Sequence, residues 1–329
     1  MKNYIVIGSN SFSGSSFIDY LLSQNCLVHG ISRSDELDPV FLKYKSNENI
    51  SNYKFNQMDL NHDLNDICDL INDYKDATVV NFASQSMVAQ SWEHPLHWYQ
   101  TNTLSTIALH DELRKMSNLK RYVHISTPEV YGSCTGSVRE THPYNPSTPY
   151  ATSRAAADMS LMNFYNNYNF PVLFTRAANV YGEHQQLYRI IPRTILYILT
   201  GQKLQLHGGG HSERSFIHID DVAKATYQIA EQGQLGTVYH ISTKKLISIR
   251  RLVETICDLL DADFNDIVDI VDDRPGKDAS YSLSTEKIEK ELDWQSEIDL
   301  EAGIKSTINW VQEELDTLKQ QAQKYIHKA

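Results

Sequence analysis

The stretch YIVIGSNSFSG, Tyr4 to Gly14, decides the fold. Tyr4 to Ile7 is an apolar, β-branched run that stops at Gly8, and Phe17, Ile18, Leu21 and Leu22 then recur at helical spacing. The reading is strand, turn, helix. The unit recurs outward from there: CLVHGI (Cys26–Ile31); NYKFNQM (Asn52–Met58) before LNDICDLI (Leu64–Ile71); ATVVNFA (Ala77–Ala83) before a helical stretch near Trp98 to Met116. RYVHIST (Arg121–Thr127) is a further strand, and VLFTRAANV (Val172–Val180) another after a helix that begins near Tyr150. Strands alternating with helices of this length make parallel βαβ crossovers, so the expected class is α/β, a Rossmann-like doubly wound parallel sheet. Ligands of such sheets bind at the carboxyl ends of the strands.

After Val180 the texture changes: YGEHQQ, HGGGH and DDRPGKD supply turns between shorter elements, followed by the helical stretches EKIEKELDW and LEAGIKSTINWVQEEL. The expected organisation is a Rossmann domain over 1–178 and a smaller mixed α/β substrate lobe over 179–329. The segment 215–243 (SFIHIDDVAKATYQIA to TVYHIST) reads as strand-helix-strand material returning to the first domain. The ligand site is expected between the two.

The bulk numbers narrow the function. Thirty Lys+Arg against 41 Asp+Glu give a net charge of −11, which disfavours a polyanionic partner such as nucleic acid. Hydrophobic residues make up 41% and charged residues 22% of the 329, a balance that supports a large core rather than disorder. Cys26, Cys68, Cys134 and Cys257 lie far apart with no C-x-x-C pair, which argues against a disulfide framework or zinc ribbon. MKNYIVIG is too short for a signal-peptide core, and RIIPRTILYILTG is interrupted by Pro192 and Arg193. A cytoplasmic protein without a membrane partner is expected.

GSNSFSG (Gly8–Gly14) joins the first strand to the first helix, where backbone N–H groups and the helix dipole can receive a pyrophosphate. Gly8 permits the tight turn and Gly14 close packing of helix on strand, while Ser11 stands where a G-x-x-G-x-x-G version has its middle glycine. At the end of the second strand Ser32 and Arg33 replace the carboxylate that would hold an NAD ribose. A guanidinium there suits the 2′-phosphate of NADP, with NAD the alternative if Asp35 or Glu36 reaches the ribose. Asp59 is placed to accept from the adenine amino group.

STPEVYG (Ser126–Gly132) follows the fifth strand, and PYATSRAAADM (Pro149–Met159) opens the next helix, with Tyr150 and Arg154 one turn apart on one face. A tyrosine has pKa about 10, and a neighbouring cation should move it down. Tyr150 could then take a proton from a sugar hydroxyl, with Thr127 holding the same oxygen and Glu129 serving as a carbon-acid base.

Taken together, GSNSFSG, NFASQSMVAQSWEHP, HISTPEVYGS, NPSTPYATSRAAADM, TRAANVYG, HGGGHSERSFIHIDDVA and DRPGKD resemble the extended short-chain dehydrogenase/reductase family of nucleotide-sugar epimerases and dehydratases. The likeness spans nearly the whole chain and is greatest to sugar-nucleotide 4,6-dehydratases of the dTDP-glucose and GDP-mannose types. It implies a bound nicotinamide cofactor contacted by Gly8, Ser11, Phe12, Gly14, Ser32, Arg33, Asp59, Leu60, Ala83, Tyr150 and Arg154. It also implies a catalytic set of Thr127, Glu129, Tyr150 and Arg154, and substrate contacts at Ser86, Asn179, Arg214 and Arg274. The implied partners are a nucleotide-diphosphate hexose and a second copy of the chain, through helices near Trp98–Met116 and Tyr150–Asn166.

Two departures stand out. Arg154 replaces the family's lysine, keeping the charge but yielding no proton. Pro128 replaces an aspartate of the dTDP-glucose type, so Glu129 would serve as both base and acid. The implied course is deprotonation of the 4-hydroxyl by Tyr150 as hydride leaves C4, removal of the C5 proton by Glu129, loss of water from C6, and return of hydride to C6. The alternatives are a 4-epimerase or uronate decarboxylase, suggested by Pro128, and a non-catalytic nucleotide-binding protein, suggested by Arg154 and Ser11. HGGGH (His207–His211) imposes no ligand geometry, so no metal is assigned. GSCTG around Cys134 reads as a plain turn.

Overall fold

Residues on the first strand alternate between two buried faces, and this sets the layering. Tyr4 and Val6 pack with Phe17, Leu21 and Leu22 of the first helix (Phe12–Ser23), whereas Ile5 and Ile7 pack with Ile67, Val79 and Leu109 on the opposite side. A strand apolar on both faces must be covered on both, as in a parallel sheet. Each fully buried Ile or Leu contributes about 1.5–3 kcal/mol to that covering. The computed structural model describes residues 1–134, 136–272 and 282–328.

Seven strands form the sheet: β1 (Asn3–Ile7), β2 (Leu27–Ser32), β3 (Tyr53–Gln57), β4 (Ala77–Asn81), β5 (Leu119–Ile125), β6 (Val172–Ala177) and β7 (Thr237–Ile241). Their spatial order is β7-β6-β5-β4-β1-β2-β3, and every neighbouring pair is parallel. Tyr4 is flanked by Val28 of β2 and Thr78 of β4. The chain winds from β1 toward β3, then crosses back to β4 on the other side of β1. The order therefore reverses at the carboxyl end of β1, where Gly8 lies, and such a switch point opens a crevice for a ligand.

Three elements depart from the expected pattern. The helical stretch expected near Trp98–Met116 starts at Pro95 and is interrupted by a π-helical turn at Gln100–Ser105 before resuming at Thr106–Leu113. VLFTRAANV divides at Ala178: β6 belongs to the sheet, whereas Asn179–Tyr181 pairs with Phe216–His218 outside it. Within 215–243, only β7 joins the sheet. The helix Ile219–Gln232 between them packs Val222 and Ile229 into the same cluster as Phe17 and Leu21.

A separate cluster of Ile191, Ile195, Leu196, Leu252, Ile256, Ile304 and Val311 forms the core of the later elements. Among the described residues, no helix is long and apolar enough to cross a membrane.

Candidate active site

The turn after β1 is built around two glycines. Gly8 has φ +86°, and a Cβ there would lie 2.6 Å from the Ala83 nitrogen; one on Gly14 would lie 2.3 Å from the Gly8 oxygen. The N–H groups of Gly8 and Ser9 both donate to the Ile31 carbonyl, at 2.7 and 3.1 Å, tying the turn to the end of β2. Ser11 caps the first helix: its hydroxyl accepts from Gly14 N–H at 3.0 Å and donates to the Gly8 carbonyl at 2.7 Å. That hydroxyl is therefore used within the turn. Phe12 opens the helix, and first-turn N–H groups have no acceptor inside it. Asn10 Oδ1 and Ser15 Oγ are buried without a hydrogen-bond partner among the described residues. A tight cradle of helix N–H donors with the unpaired Ser15 hydroxyl as a further donor fits the pyrophosphate of a dinucleotide.

Ser32 ends β2 and Arg33 follows it. Arg33 Nη2 donates to the Lys328 carbonyl at 3.2 Å, and its own carbonyl accepts from Gln57 Nε2 at 3.1 Å. Glu36, the carboxylate weighed as a ribose ligand, instead accepts from Tyr44 Oη and Lys45 Nζ, each at 2.7 Å. Asp59 follows β3 and caps a turn by accepting from Asn61 N–H at 2.8 Å, beside buried Leu60. Ala83 lies against Gly8, with its N–H donated to Asn81 Oδ1 at 2.9 Å.

Thr127, Glu129 and Tyr150 converge where β5 meets the helix Pro149–Tyr168. Thr127 is buried and caps the short helix Pro128–Tyr131, accepting from Glu129 N–H at 3.3 Å. Thr127 also hydrogen-bonds the phenol of Tyr150, and Glu129 is close enough for its charge to act on that phenol. Thr148 caps the longer helix and Pro149 occupies its first turn, which fixes the position of Tyr150. The Tyr150 pKa does not fall as expected. Burial pushes the phenol above its ordinary value, outweighing the downward pull of Arg154, the Thr127 hydrogen bond and Arg189.

Arg154 is 2% exposed. Its Nη2 donates to the Ile125 carbonyl and lies 3.3 Å from His124 Nε2, while its Nε has no hydrogen-bond partner among the described residues. One turn further along the helix, Asp158 accepts from Arg176 Nη2 at 2.8 Å and from Ser126 Oγ at 2.6 Å. Tyr150, Arg154 and Asp158 thus form a line from the half-buried helix start to a fully buried ion pair.

Asn179 and Arg214 meet through Ser215, whose carbonyl accepts from Asn179 Nδ2 at 3.2 Å. Arg214 Nη1 donates to the Glu213 carbonyl at 2.7 Å. Ser86 is exposed on the loop after β4. Arg274, in DRPGKD, lies outside the described residues.

Sequence reasoning missed Gln85, Tyr188 and Arg189. Asn102 pins the Gln85 backbone, accepting from its N–H at 2.8 Å and donating to its carbonyl at 2.9 Å. Asn102 lies in the π-helical turn, an irregularity often found at functional sites. Arg189 begins RIIPR at the mouth of the next helix and stands in the sequence only as the first residue of an apolar run.

The profile of the GDP-mannose 4,6-dehydratase family matches residues 5–307. The chain belongs to that family. It is 32% identical to the dTDP-glucose 4,6-dehydratase of Haemophilus influenzae, over 94% of this chain and 98% of that protein. Among solved structures of the family's kin, DesIV, a dTDP-glucose 4,6-dehydratase of Streptomyces venezuelae with NAD bound, superposes with a TM-score of 0.88 at 28% identity, covering 96% of this chain and 98% of that one. A UDP-N-acetylglucosamine 4-epimerase of Methanobrevibacter ruminantium also matches, with a TM-score of 0.84 at 26% identity over 95% and 99% of the two chains. The family fold thus carries both dehydratases and epimerases.

Proposed function

We propose that this chain is a nucleotide-hexose 4,6-dehydratase, a lyase that converts its substrate to a 4-keto-6-deoxy sugar. The observation that carries the reading is the convergence of Thr127, Glu129 and Tyr150 beside the crevice at the switch point. A bound nicotinamide dinucleotide would supply a hydride acceptor that is regenerated within each turnover.

Gly8, Ser11, Phe12 and Gly14 would hold its pyrophosphate, Ser32 and Arg33 its adenosine ribose, Asp59 and Leu60 its adenine, and Ala83 the passage between the two halves. Tyr150 would bind the nicotinamide ribose and take the proton of the 4-hydroxyl, with Thr127 donating to the same oxygen. Arg154 would favour the phenolate electrostatically, a task that needs no proton transfer. Glu129 would remove the C5 proton, made acidic by a ketone at C4, and deliver a proton to the departing C6 hydroxyl. Asn179, Arg214 and Arg274 would receive the substrate's nucleotide diphosphate, with Ser86 near the sugar. Arg33 favours NADP over NAD on charge, and the NAD of solved relatives is the alternative.

The lobe division at about residue 178, with β7 returning to the sheet, supports placement of the sugar between the lobes. Exposed Trp92 on the helix Val88–Glu93, Leu96 and Leu104 within Pro95–Leu113, and Met159 on Pro149–Tyr168 support a homodimer through that face. A cytoplasmic location rests on the four widely spaced cysteines.

Purified protein should be incubated with GDP-, dTDP-, UDP- and CDP-hexoses and the products read by NMR. A 4-keto-6-deoxy sugar is expected from one of them, and none from any of them would sink the dehydratase reading. A second reading, a 4-epimerase or uronate decarboxylase, draws on Pro128 and on the epimerase likeness; an epimer, or carbon dioxide without dehydration, would select it.

A further inference from the structure

We propose that the segment Tyr325–Lys328 is a strap that lies across the dinucleotide crevice and competes with the dinucleotide for Arg33 and Gln85. The proposal rests on the reading of that crevice as a dinucleotide site. Its central contact is one oxygen: the Lys328 carbonyl accepts from Arg33 Nη2 at 3.2 Å and from Gln85 Nε2 at 2.8 Å. Arg33 follows β2 and Gln85 follows β4, and those strands flank β1 on its two sides. Neighbouring strands lie about 4.8 Å apart, so an atom that reaches both side chains stands over the carboxyl end of β1. That is the end at which Gly8 and the first helix would receive a pyrophosphate.

The rest of the segment is seated rather than draped. Burial alternates along it, with Tyr325 and His327 partly covered and Lys324, Ile326 and Lys328 exposed, as in an extended chain with one face down. The His327 ring stacks on His94, His97 and Trp98 at centroid distances of 5.0, 5.1 and 5.1 Å, and its Nε2 is 2.8 Å from His97 Nδ1. Tyr325 meets Tyr188 edge-on at 5.4 Å. Tyr188 in turn lies under the Arg189 guanidinium, whose charge acts on Tyr150. The segment therefore spans from the β2 end, past the helix after β4, to the lobe carrying Tyr188.

Two features favour a removable strap over a fixed part of the core. The buried end of the contact is preset without it, because Asn102 holds the Gln85 backbone from both sides. Among the described residues the strap's own grip consists of one shared carbonyl, the His327–His97 hydrogen bond and a set of ring contacts, with Ile326 turned 68% to solvent. A closed fraction lowers apparent ligand affinity in proportion to its population, so loosening the strap should tighten dinucleotide binding.

Calorimetric titration of NAD and NADP into the full chain, into a variant ending at Gln321, and into His327→Ala and Tyr325→Ala tests this. Dinucleotide affinity is expected to rise about fivefold or more in each variant. Amide hydrogen exchange at 324–328 of the full chain should speed up on saturation with dinucleotide. Equal or weaker binding by all three variants, or exchange that is unchanged or slowed by the ligand, would overturn the strap while leaving the dinucleotide site intact. Failure of every form to bind either dinucleotide would overturn the site and the strap together. If the shortened chain does not fold, as read by circular dichroism, the two point variants and the exchange measurement decide.

Discussion

The guanidinium of Arg154 is bonded to the carbonyl of Ile125 at the end of β5, and it acts on Tyr150, one helical turn away, through charge alone. A buried cation fixed in this way is an electrostatic support, and its worth depends on how much of the phenol's burial penalty it offsets.

That relationship has a pH signature. Tyr150 must lose its proton to act as a base, so the rate rises with pH through its pKa. Removing the cation in Arg154→Met raises that pKa and should move the rising limb of the pH–rate profile to higher pH. Arg154→Lys should move it less. The same Met variant leaves the Ile125 carbonyl short of a donor, at a cost of about 1–3 kcal/mol in urea unfolding.

Tyr150→Phe removes the proposed proton acceptor but keeps the ring. Turnover should fall by about 10²–10⁴-fold with dinucleotide affinity within a few-fold of the parent. Unchanged turnover would show that the phenol is not the base.

Glu129→Gln is isosteric and tests the C5 step directly. In heavy water the parent should introduce deuterium at C5 of the product, and the variant should not. Continued C5 exchange in the variant would assign that proton to another group.

Three buried histidines make the fold acid-sensitive. Burial holds His110 and His124 well below the ordinary imidazole range and His240 down at about 3, with like charge from Arg154 and Arg176 adding to the effect. A group whose folded pKa is depressed contributes stability above its unfolded value and loses it as pH falls. Below about pH 6.5 each should therefore cost about 1.4 kcal/mol per pH unit until it titrates. Urea midpoints at pH 7.5 and 5.0 should differ sharply, and His110→Gln should reduce the difference.

Arg33→Ala should weaken NADP binding more than NAD binding, because only the former offers a 2′-phosphate to the guanidinium. Equal losses, read by calorimetry, would remove the case for NADP.

Much of this was legible in the chain. The Gly8 and Gly14 turn and the position of each sheet strand to within three residues follow from local patterns, since strand alternation, helical spacing and turn glycines act over a few residues. Arg189 and Gln85 carried no such pattern. Arg189 stands at the head of an apolar run, and Gln85 is pinned by Asn102 on a π-helical turn that no periodicity announces.

What the amino-acid order determined by itself is the alternation of strand and helix, and with it the crevice at the end of β1, because each βαβ unit must bury two apolar faces. What only the tertiary structure decided is where the charges go. Arg154 turns to a carbonyl of β5, Glu36 to Tyr44 and Lys45, and Gln85 to a carbonyl 243 residues further along the chain. A buried polar group takes whichever partner packing leaves within about 3 Å, and that choice is made across the fold rather than along the sequence.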